Sequence, residues 1–250
     1  MRMQVANKVA LITGSGKGLG KAFAGALLAR GARVCLSDVD PKTLQATYDE
    51  YASQFGKENV CSTPCDVTVE SNLKDVFAEA RQNFKGLDIV VNNAGIADES
   101  TWDKMVDINL KGVMRGTLMG MDAMKSTNGG KGGIIINIAS MAGLLPVGHV
   151  PAYTATKHGV VAYTKSWAIN TETLNNNIRL VCLCPAYTDT DIIKMPENAV
   201  CGKSLANASL QELGVMSVDT VVAAFLKLLD DSDNHGKALS VMKGKGMQYF

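Results

Sequence analysis

The sequence has almost no excess of either charge. Its 250 residues include 25 Lys and Arg against 24 Asp and Glu, which gives a formal net charge of +1. A protein that binds nucleic acid or an anionic membrane surface needs a basic field, and this composition does not provide one. The composition therefore argues against both partners and favours a compact soluble protein, since 46% of the residues are hydrophobic.

Long apolar runs and a secretion signal are also missing. Gly, Asn, Asp or Lys interrupts every hydrophobic stretch before it reaches the length of a bilayer. Residues 1–8 lead directly into a strand-like run, without the apolar core of a signal peptide. We therefore expect a cytoplasmic protein.

Cysteine and histidine are scarce and show no metal-site spacing. The six cysteines are Cys35, Cys61, Cys65, Cys182, Cys184 and Cys201. Most lie in apolar, strand-like surroundings, which is typical of reduced thiols in a core. Because no His, Cys and Asp cluster has the spacing of metal ligands, we expect no metal site.

The chain is rich in short apolar runs that alternate with longer helical segments. The predicted strands are Val9–Thr13, Arg33–Ser37, Val60–Cys65, Ile89–Asn92, Gly133–Ile138, Ile178–Cys184 and Ala238–Val241. The predicted helices are Gly18–Arg30, Lys42–Phe55, Glu70–Phe84, Lys104–Ser126, Ala152–Leu174 and Val218–Leu229. This alternation predicts an α/β protein in which residues 1–250 form a single doubly wound domain. Its seven-stranded parallel sheet carries helices on both faces.

One segment breaks this rhythm. Residues 191–216 have weak periodicity and mixed polarity, and they follow the sixth strand at the edge where such sheets bind ligands. Two interpretations stay open, a lid over the substrate or a disordered insertion.

A glycine-rich turn follows the first strand. Gly14, Gly18 and Gly20 stand in the pattern T-G-x-x-x-G-x-G, with Lys17 and Leu19 between them, and a helix begins at once. Glycines permit a tight turn and let a pyrophosphate approach the backbone and the helix amino end. The turn predicts a dinucleotide site.

The end of the second strand indicates which dinucleotide is bound. Asp38 lies about 20 positions past the last glycine, where a carboxylate can accept hydrogen bonds from the adenosine ribose. It would repel a 2′-phosphate, whereas Lys17 could pair with one. We give Asp38 the greater weight and predict NAD rather than NADP.

Later strand ends complete the predicted cofactor site. Asp66 and Val67 follow the third strand toward the adenine, and small residues after the fourth allow close approach to the cofactor. The segment after the sixth strand is placed to hold the nicotinamide carboxamide. The predicted contacts from these strand ends are Asp66, Val67, Asn92, Ala94, Gly95, Pro185, Thr188 and Thr190.

Tyr153 and Lys157 lie four residues apart, on one face of a predicted helix. A free Tyr has a pKa of about 10, which is too high for an efficient base at neutral pH. Lys157 and an oxidised nicotinamide, both positive, would stabilise the phenolate and lower this pKa. Ser140 ends the fifth strand and can bond the substrate oxygen from the other side.

In these features the chain resembles the short-chain dehydrogenase/reductase family over essentially its whole length. The motifs that carry the resemblance are TGSGKGLG at Thr13–Gly20, NNAG at Asn92–Gly95, Asn109, Ser140 and YTATK at Tyr153–Lys157. The resemblance implies that Tyr153 is the catalytic acid/base and that Ser140 orients the reacting oxygen. It also implies that Tyr153 and Lys157 contact the cofactor, with Lys157 at the nicotinamide ribose, and that Asn109 supports a proton-relay water. The family's usual Pro-Gly is here Pro185-Ala186.

A narrower resemblance is to the 15-hydroxyprostaglandin dehydrogenases, which use NAD to oxidise a secondary allylic alcohol on a fatty-acid chain. The similar runs are Asn128–Asn137, Ala142-Gly143-Leu144, Pro146-Val147 and Lys157-His158-Gly159. Their prostaglandin-oxidising members have a glutamine where Val150 stands, so the substrate is either a prostaglandin or another lipophilic alcohol. The expected substrate contacts are Ser140, His149, Val150, Tyr153 and Tyr187.

The sequence therefore predicts an NAD-dependent oxidation of a secondary alcohol, with Tyr153 as the base. Two alternatives stay open: an NADP-linked carbonyl reductase, which Lys17 favours, and a catalytically idle NAD-binding regulatory protein. Helices Lys104–Ser126 and Ala152–Leu174 carry more apolar surface than one sheet face needs. Relatives pair through these helices, so we expect a homodimer or homotetramer.

Overall fold

Strands and helices alternate along the chain as the periodicity predicts. The computed structural model describes residues 5–193 and 203–250. The strands are β1 Val9–Thr13, β2 Arg33–Asp38, β3 Val60–Pro64, β4 Ile89–Asn92, β5 Gly133–Ile138, β6 Ile178–Pro185, β7 Ala238–Met242 and β8 Gly246–Tyr249. The helices are α1 Gly18–Leu28, α2 Pro41–Phe55, α3 Glu70–Phe84, α4 Trp102–Val106, α5 Val113–Met124, α6 Pro151–Ala168, α7 Thr171–Asn175, α8 Lys203–Leu213 and α9 Val218–Asp230.

The strands form one sheet in the order β3-β2-β1-β4-β5-β6-β7-β8. Strands β1 to β7 are parallel, as predicted. β2 and β3 lie on one side of β1, and β4 follows on the other, so the strand order reverses between β1 and β4. At such a reversal the connections leave to opposite faces and open a crevice outside the carboxyl ends of the strands.

The prediction of seven strands is wrong by one, because an eighth strand extends the sheet. β8 runs antiparallel to β7, with Leu239 opposite Tyr249 and Met242 opposite Gly246. β8 is only four residues long and mostly exposed, so it lacks the apolar run that identifies the central strands. Its pairing is set by the tight connection from β7, where Gly244 and Gly246 have positive φ.

Helices cover both faces of the sheet, and the side chains of β1 alternate between them. Ala10 and Ile12 point into the core under α1 and α9, where Phe23 and Phe225 stack with ring centroids 4.3 Å apart. Leu11 points into the core on the opposite face, under α3 and α5. Burial of one such large apolar side chain contributes about 1.5–3 kcal/mol, so both helix layers hold the sheet.

Two predicted helices are interrupted. The helix predicted at 104–126 begins at Trp102 and contains a π-helical segment, Asp107–Gly112, between α4 and α5. The helix predicted at 152–174 ends at Ala168, where the exposed Ile169 leaves the helix, and Asn170 caps α7 by accepting the N–H of Glu172. Hydrophobic periodicity continues through both interruptions, which explains why the sequence did not reveal them.

The segment predicted as lid or insertion, 191–216, is helical in part. Residues 203–213 form α8, which packs through the buried Ala206, although weak periodicity gave no sign of a helix. Residues 194–202, with Cys201, lie outside the described residues, as do residues 1–4.

Residues 5–193 and 203–250 contain neither a candidate membrane-spanning helix nor a candidate metal site. No helix in these ranges has both the length and the hydropathy needed to cross a bilayer. The same residues contain no group of three or more His, Cys, Asp and Glu side chains arranged to hold a metal ion.

Candidate active site

The glycine turn lies at the carboxyl end of β1 and packs against the segment after β4. Gly14 has φ +65°, and a Cβ there would lie 2.8 Å from the Cα of Ala94. A Cβ on Gly20 would lie 2.2 Å from the carbonyl oxygen of Gly14. Because non-bonded heavy atoms do not approach a Cβ this closely, the turn can close only with glycine at these two positions.

The amino end of α1 suits an anion. Its N-cap residue is Lys17, whose side chain accepts no hydrogen bond, and its first turn has no carboxylate. Leu19 packs against the core below, so it offers only its backbone to the turn. Because the N–H groups at a helix start carry partial positive charge, this end of α1 fits a pyrophosphate.

Asp38 and Lys17 lie on opposite sides of this turn. The Asp38 carboxylate accepts the N–H of Gly16 at 2.9 Å, which holds the end of β2 against the glycines. Lys17 forms an ion pair of 2.6 Å with Asp191, and this bond raises the pKa of the lysine. Lys17, the residue whose charge favoured NADP in the sequence analysis, therefore forms an ion pair with Asp191.

The glycine turn and the segment after β6 face each other. A Cβ on Gly18 would lie 3.7 Å from the Cγ2 of Thr190. Thr190 donates its hydroxyl to the carbonyl of Thr188 at 3.3 Å, and the buried Thr188 donates to the carbonyl of Ala186 at 3.0 Å. These contacts set the width of the cleft between α1 and the end of β6.

The residues predicted near the adenine have separate surroundings. Asp66 accepts the N–H of Thr68 at 2.8 Å and its hydroxyl at 2.7 Å, so it forms a turn after β3. The buried Val67 packs against the π-helical segment at Gly112. Asp66 therefore stabilises a polar turn, and Val67 packs as an apolar side chain.

The Asn92 amide lies inside the protein. It is buried and donates to the hydroxyl of Thr117 at 3.2 Å and to the amide oxygen of Asn137 at 2.8 Å. Its side chain therefore braces β4 against β5 and α5 from within, and the structure does not bring it to the cleft with Ala94 and Gly95.

Asn93, which sequence reasoning did not single out, joins the two strands at the reversal. Its amide donates to the carbonyls of Thr13 and Gly14, both at 2.9 Å. In return the Thr13 hydroxyl oxygen accepts the N–H groups of Asn93 and Ala94, both at 3.1 Å. The only signal for this role was its place inside the Asn92–Gly95 motif.

Tyr153, Ser140 and Lys157 meet at the middle of the cleft. Tyr153 is 6% exposed, and Ser140 lies close enough to its hydroxyl to act on its pKa. Ser140 follows β5, and its oxygen accepts the N–H of Ala142 at 3.2 Å. Lys157, one turn along α6, donates to the carbonyl of Ile138 at 2.9 Å and lies 5.5 Å from the centroid of the Tyr153 ring. The structure thus brings together the three residues predicted to carry the chemistry.

Burial dominates the protonation of this cluster. It raises the pKa of Tyr153 to about 12, although the neighbouring Ser140 side chain acts in the other direction. Burial also lowers the pKa of Lys157 to about 8. The protein by itself does not lower the pKa of Tyr153, because the ammonium is itself desolvated. The predicted lowering of the Tyr153 pKa is therefore not found in the protein without cofactor.

Asn109 lies in the π-helical segment and faces the cofactor loop. It is fully buried, accepts the N–H of Ile96 at 2.9 Å and donates to the carbonyl of the same residue at 2.8 Å. A Cβ on Gly95 would lie 3.3 Å from its Oδ1 and 3.6 Å from the Nζ of Lys157. Asn109 and Lys157 thus flank Gly95, and a π-bulge at this point is typical of functional helices.

A chain of polar groups lines the predicted substrate side. The Nε2 of the buried His149 lies 3.0 Å from the hydroxyl of Tyr187, which donates to Ser209 on α8 at 3.2 Å. Burial lowers the pKa of His149, so the neutral imidazole is favoured and its N–H can donate to Tyr187. Val150 packs beside Tyr153 in a small apolar cluster. Ser209 was not predicted, because a lone serine in a weakly periodic segment carries no signal.

Comparison with known proteins is consistent with this geometry. The profile of the short chain dehydrogenase family matches residues 8–199. The 15-hydroxyprostaglandin dehydrogenase (NAD+) of Mus musculus is 37% identical over 256 residues, covering 99% of this chain and 94% of the relative. The human protein of the same name is 36% identical, with coverages of 99% and 95%.

More distant relatives share the fold as well. A 3-oxoacyl-(acyl-carrier-protein) reductase of Thermotoga maritima is 33% identical over 207 residues, covering 79% of this chain and 81% of the relative. The crystal structure of levodione reductase superimposes with a TM-score of 0.84 at 29% identity, covering 96% of this chain and 98% of that one. These proteins reduce or oxidise different compounds, as their names state.

Proposed function

This chain belongs to the short-chain dehydrogenase family, and we propose that it uses NAD+ to oxidise a secondary alcohol to a ketone. The family predicted from the motifs is thereby confirmed. The observation that carries the proposal is the buried phenol of Tyr153, which lies beside Ser140 and one helical turn from Lys157, whose Nζ is 5.5 Å from the centroid of its ring. A role in binding alone does not need this cluster.

The cleft fits NAD. The glycine turn and the open amino end of α1 would hold the pyrophosphate, and Asp38 would accept hydrogen bonds from the adenosine ribose. The nicotinamide half would lie between Gly95, Lys157 and the Pro185–Thr190 segment. When bound, NAD+ supplies the carbon that accepts the hydride.

The protein's own residues handle the oxygen and its proton. Ser140 orients the substrate hydroxyl toward Tyr153, whose phenolate accepts the hydroxyl proton as hydride leaves the carbon. The ammonium of Lys157 stabilises that phenolate, and the carbonyl of Ile138 holds the ammonium in place. The alcohol therefore loses one proton and one hydride, and a ketone remains.

NAD is favoured over NADP by the charges around the ribose. Asp38 would repel a 2′-phosphate, and Lys17 is paired with Asp191 at 2.6 Å. Relatives whose names specify NAD(+) agree with this choice. An NADP-linked carbonyl reductase is the second candidate, and higher turnover with NADP than with NAD would favour it.

We propose that the substrate is a lipophilic secondary alcohol, such as a prostaglandin-like hydroxy fatty acid or a related lipid alcohol. Support comes from the names of the relatives and from the apolar cluster of Val150, Met105, Ala142 and Tyr153. The polar chain of His149, Tyr187 and Ser209 would contact a polar group on it, with α8 forming one wall of the site.

The matched pair of wild type and Tyr153→Phe tests the activity. NADH production from a panel of prostaglandins, retinoids, isoprenoids and steroids should occur with wild type and fall by about 1,000-fold in the variant. NADH binding should be unchanged, because the phenol oxygen alone is lost. Equal NADH production by both proteins would exclude Tyr153 as the base, and no NADH production by wild type would leave the NAD-binding regulator as the better account.

We also propose that the chain pairs with a second copy in the cytoplasm. The exposed apolar side chains Leu118, Ile169 and Leu174 lie on or beside the helices expected to pair. Sedimentation equilibrium distinguishes the monomer from the homodimer and the homotetramer.

A further inference from the structure

We propose that Glu99 is a positioning residue, which fixes the amino end of α6 and thereby the place of Tyr153 in the cleft. The inference rests on the proposed function, because it assigns a role in the same reaction. Glu99 lies in a short 3₁₀ helix, Glu99–Thr101, just after the cofactor loop that contains Gly95. It is 53 residues from the nearer of the two groups it contacts.

The contacts are made by one buried carboxylate. Its Oε2 accepts the N–H of Ala152 at 3.0 Å, and its Oε1 accepts the N–H of Tyr153 at 2.8 Å. Glu99 is only 8% exposed. A buried carboxylate needs such partners, since an ionised group without hydrogen bonds is costly to bury.

These two N–H groups are the ones that α6 leaves without a local acceptor. The first residue of the helix, Pro151, has no N–H. The N–H of Thr154 donates to the carbonyl of Val150 at 2.9 Å. Val150 holds the N-cap position, where its apolar side chain cannot accept a hydrogen bond. Glu99 therefore completes the hydrogen bonding of this helix end from a distant part of the chain.

The second of these groups belongs to Tyr153 itself. Glu99 therefore holds the backbone of Tyr153 directly, at the residue whose hydroxyl lies beside Ser140. Glu99 is in turn held by its own short helix, in which the Asp98 carboxylate accepts the N–H of Ser100 at 3.0 Å and its hydroxyl at 2.6 Å. The cofactor loop and the catalytic helix are thus joined through one side chain.

The role we assign is one of position rather than of charge. The groups that shift the pKa of Tyr153 are, after burial, Ser140, Cys184 and Tyr187. The charge of Glu99 acts instead on His149, whose pKa it raises against the larger effect of burial. Loss of Glu99 should therefore slow the reaction without moving the pKa that governs the rate.

The test compares Glu99→Ala and the isosteric Glu99→Gln with the wild type. Small displacements of reacting groups are costly, so kcat of Glu99→Ala should fall by about 10- to 100-fold, measured well below its melting temperature. Glu99→Gln retains one acceptor oxygen, so its kcat should fall less than that of Glu99→Ala. The KM for NAD+ and the dissociation constant of NADH should stay within about twofold of wild type, and the pKa in the kcat profile should not move. Glu172→Ala, which removes an exposed first-turn glutamate from α7, is the matched control.

A second variant tests the mechanism by rescue. An aspartate at the N-cap accepts the same type of N–H group. Glu99→Ala should therefore lower kcat less in a Val150→Asp background than in the wild-type background. Hydrogen exchange of a peptide spanning residues 150–156 gives a readout that needs no turnover. It should be faster in Glu99→Ala and return toward wild type in the double variant.

The outcomes separate the two proposals. A lower melting temperature with unchanged kcat in Glu99→Ala, or unchanged exchange over residues 150–156, would overturn the positioning role. If Glu99→Ala does not fold, a kcat of Glu99→Gln equal to wild type would overturn it as well. Absence of NADH production by wild type would instead contradict the proposed function, while the exchange measurement still decides whether Glu99 holds the helix.

Discussion

The cofactor side and the substrate side of the cleft are held together by different kinds of contact. On the cofactor side, backbone packs directly on backbone, with Gly14 against Ala94 and Gly20 against Gly14. On the substrate side, the contacts are between the ends of side chains, from His149 to Tyr187. A backbone contact leaves no room for a new atom, whereas a side-chain contact can be exchanged.

This difference explains how relatives with different named substrates share one fold. The levodione reductase structure and the 3-oxoacyl reductase match most of this chain at 29% and 33% identity. A residue at the end of β6 can change without moving β1, because its side chain alone faces the substrate. A change in the glycine turn moves the strand end and the helix start together. The predictions below test this contrast.

The largest effect is expected on the cofactor side, from Gly20→Ala. The added Cβ would lie 2.2 Å from the carbonyl oxygen of Gly14 and 2.5 Å from the amide nitrogen of Asn93. Relief of such overlap should cost about 3 kcal/mol of unfolding free energy and weaken NADH binding. Urea unfolding and NADH fluorescence titration measure both effects.

The matched control for this variant is Gly86→Ala, where a Cβ would have no described atom within 4 Å. We expect its stability to stay within about 0.5 kcal/mol of wild type. If both variants behaved alike, the claim that the cofactor side tolerates no added volume would be wrong.

The next effect concerns Lys157, between the two sides, and the stability of the protein without cofactor. Burial lowers the pKa of Lys157 from 10.5 to about 8. Between these pH values the unfolded chain holds a proton that the folded protein has released, so the stability should rise with pH. Below about pH 8 both states carry the proton and this rise ends. The gain across the window should be about 2–3 kcal/mol relative to Lys157→Met.

Tyr153 acts in the opposite direction at higher pH, because its pKa is raised from 10.0 to about 12. The comparison is therefore made in a Tyr153→Phe background, by urea unfolding at several values between pH 7 and 10. Lys165→Met, which removes an exposed lysine of the same helix, should leave the slope unchanged. If stability changed equally with pH in Tyr153→Phe alone, with Lys157→Met and with Lys165→Met, Lys157 would not be desolvated as the structure indicates.

A smaller effect should separate Asp38→Asn from Asp40→Asn. The first change removes the charge beside the ribose but keeps an oxygen for the N–H of Gly16, so the kcat/KM ratio of NAD to NADP should fall by about 30-fold. Asp40 caps α2, and asparagine is also a good cap, so the second change should leave the ratio unaltered. An unchanged ratio in Asp38→Asn would show that Asp38 does not set the choice between NAD and NADP.

The smallest effect is expected on the substrate side, from Tyr187→Phe. Loss of the hydroxyl breaks its contacts with His149 and Ser209, so the KM for the alcohol should change by about 3- to 10-fold. The KM for NAD+ should not change. Ser209→Ala breaks only the hydrogen bond between Tyr187 and Ser209, so it should change the KM for the alcohol less. A change in the KM for NAD+ instead would show that the two sides are not independent.

Particular elements show where sequence patterns reach their limit. The observed bounds of β1, β4, β5 and α3 equal the predicted ones. Each element shows its burial in its own sequence, because the strands are buried on both faces and the helix on one. β8 and α8 lack such a pattern, and their positions depend on what they pack against. The π-helical segment at Asn109 was missed because its apolar residues continue those of α4 and α5.

The same limit applies to the site. The Tyr153 and Lys157 pair was predictable because both residues lie on one helix, and so was the glycine turn, because its φ values are a local requirement. Glu99, Asn93 and the ion pair of Lys17 with Asp191 were not predicted. Each joins residues that are far apart along the chain, such as the 174 positions between Lys17 and Asp191.

For this protein, local spacing determined the order of strands and helices, the glycine turn and the residues of the proposed catalytic centre. The tertiary structure alone decided which partners complete them: the carboxylate that caps α6, the amide that ties β1 to β4 and the serine that reaches Tyr187. The physical reason is that a hydrogen bond needs two groups within about 3 Å of each other. Only the folded chain brings distant residues that close.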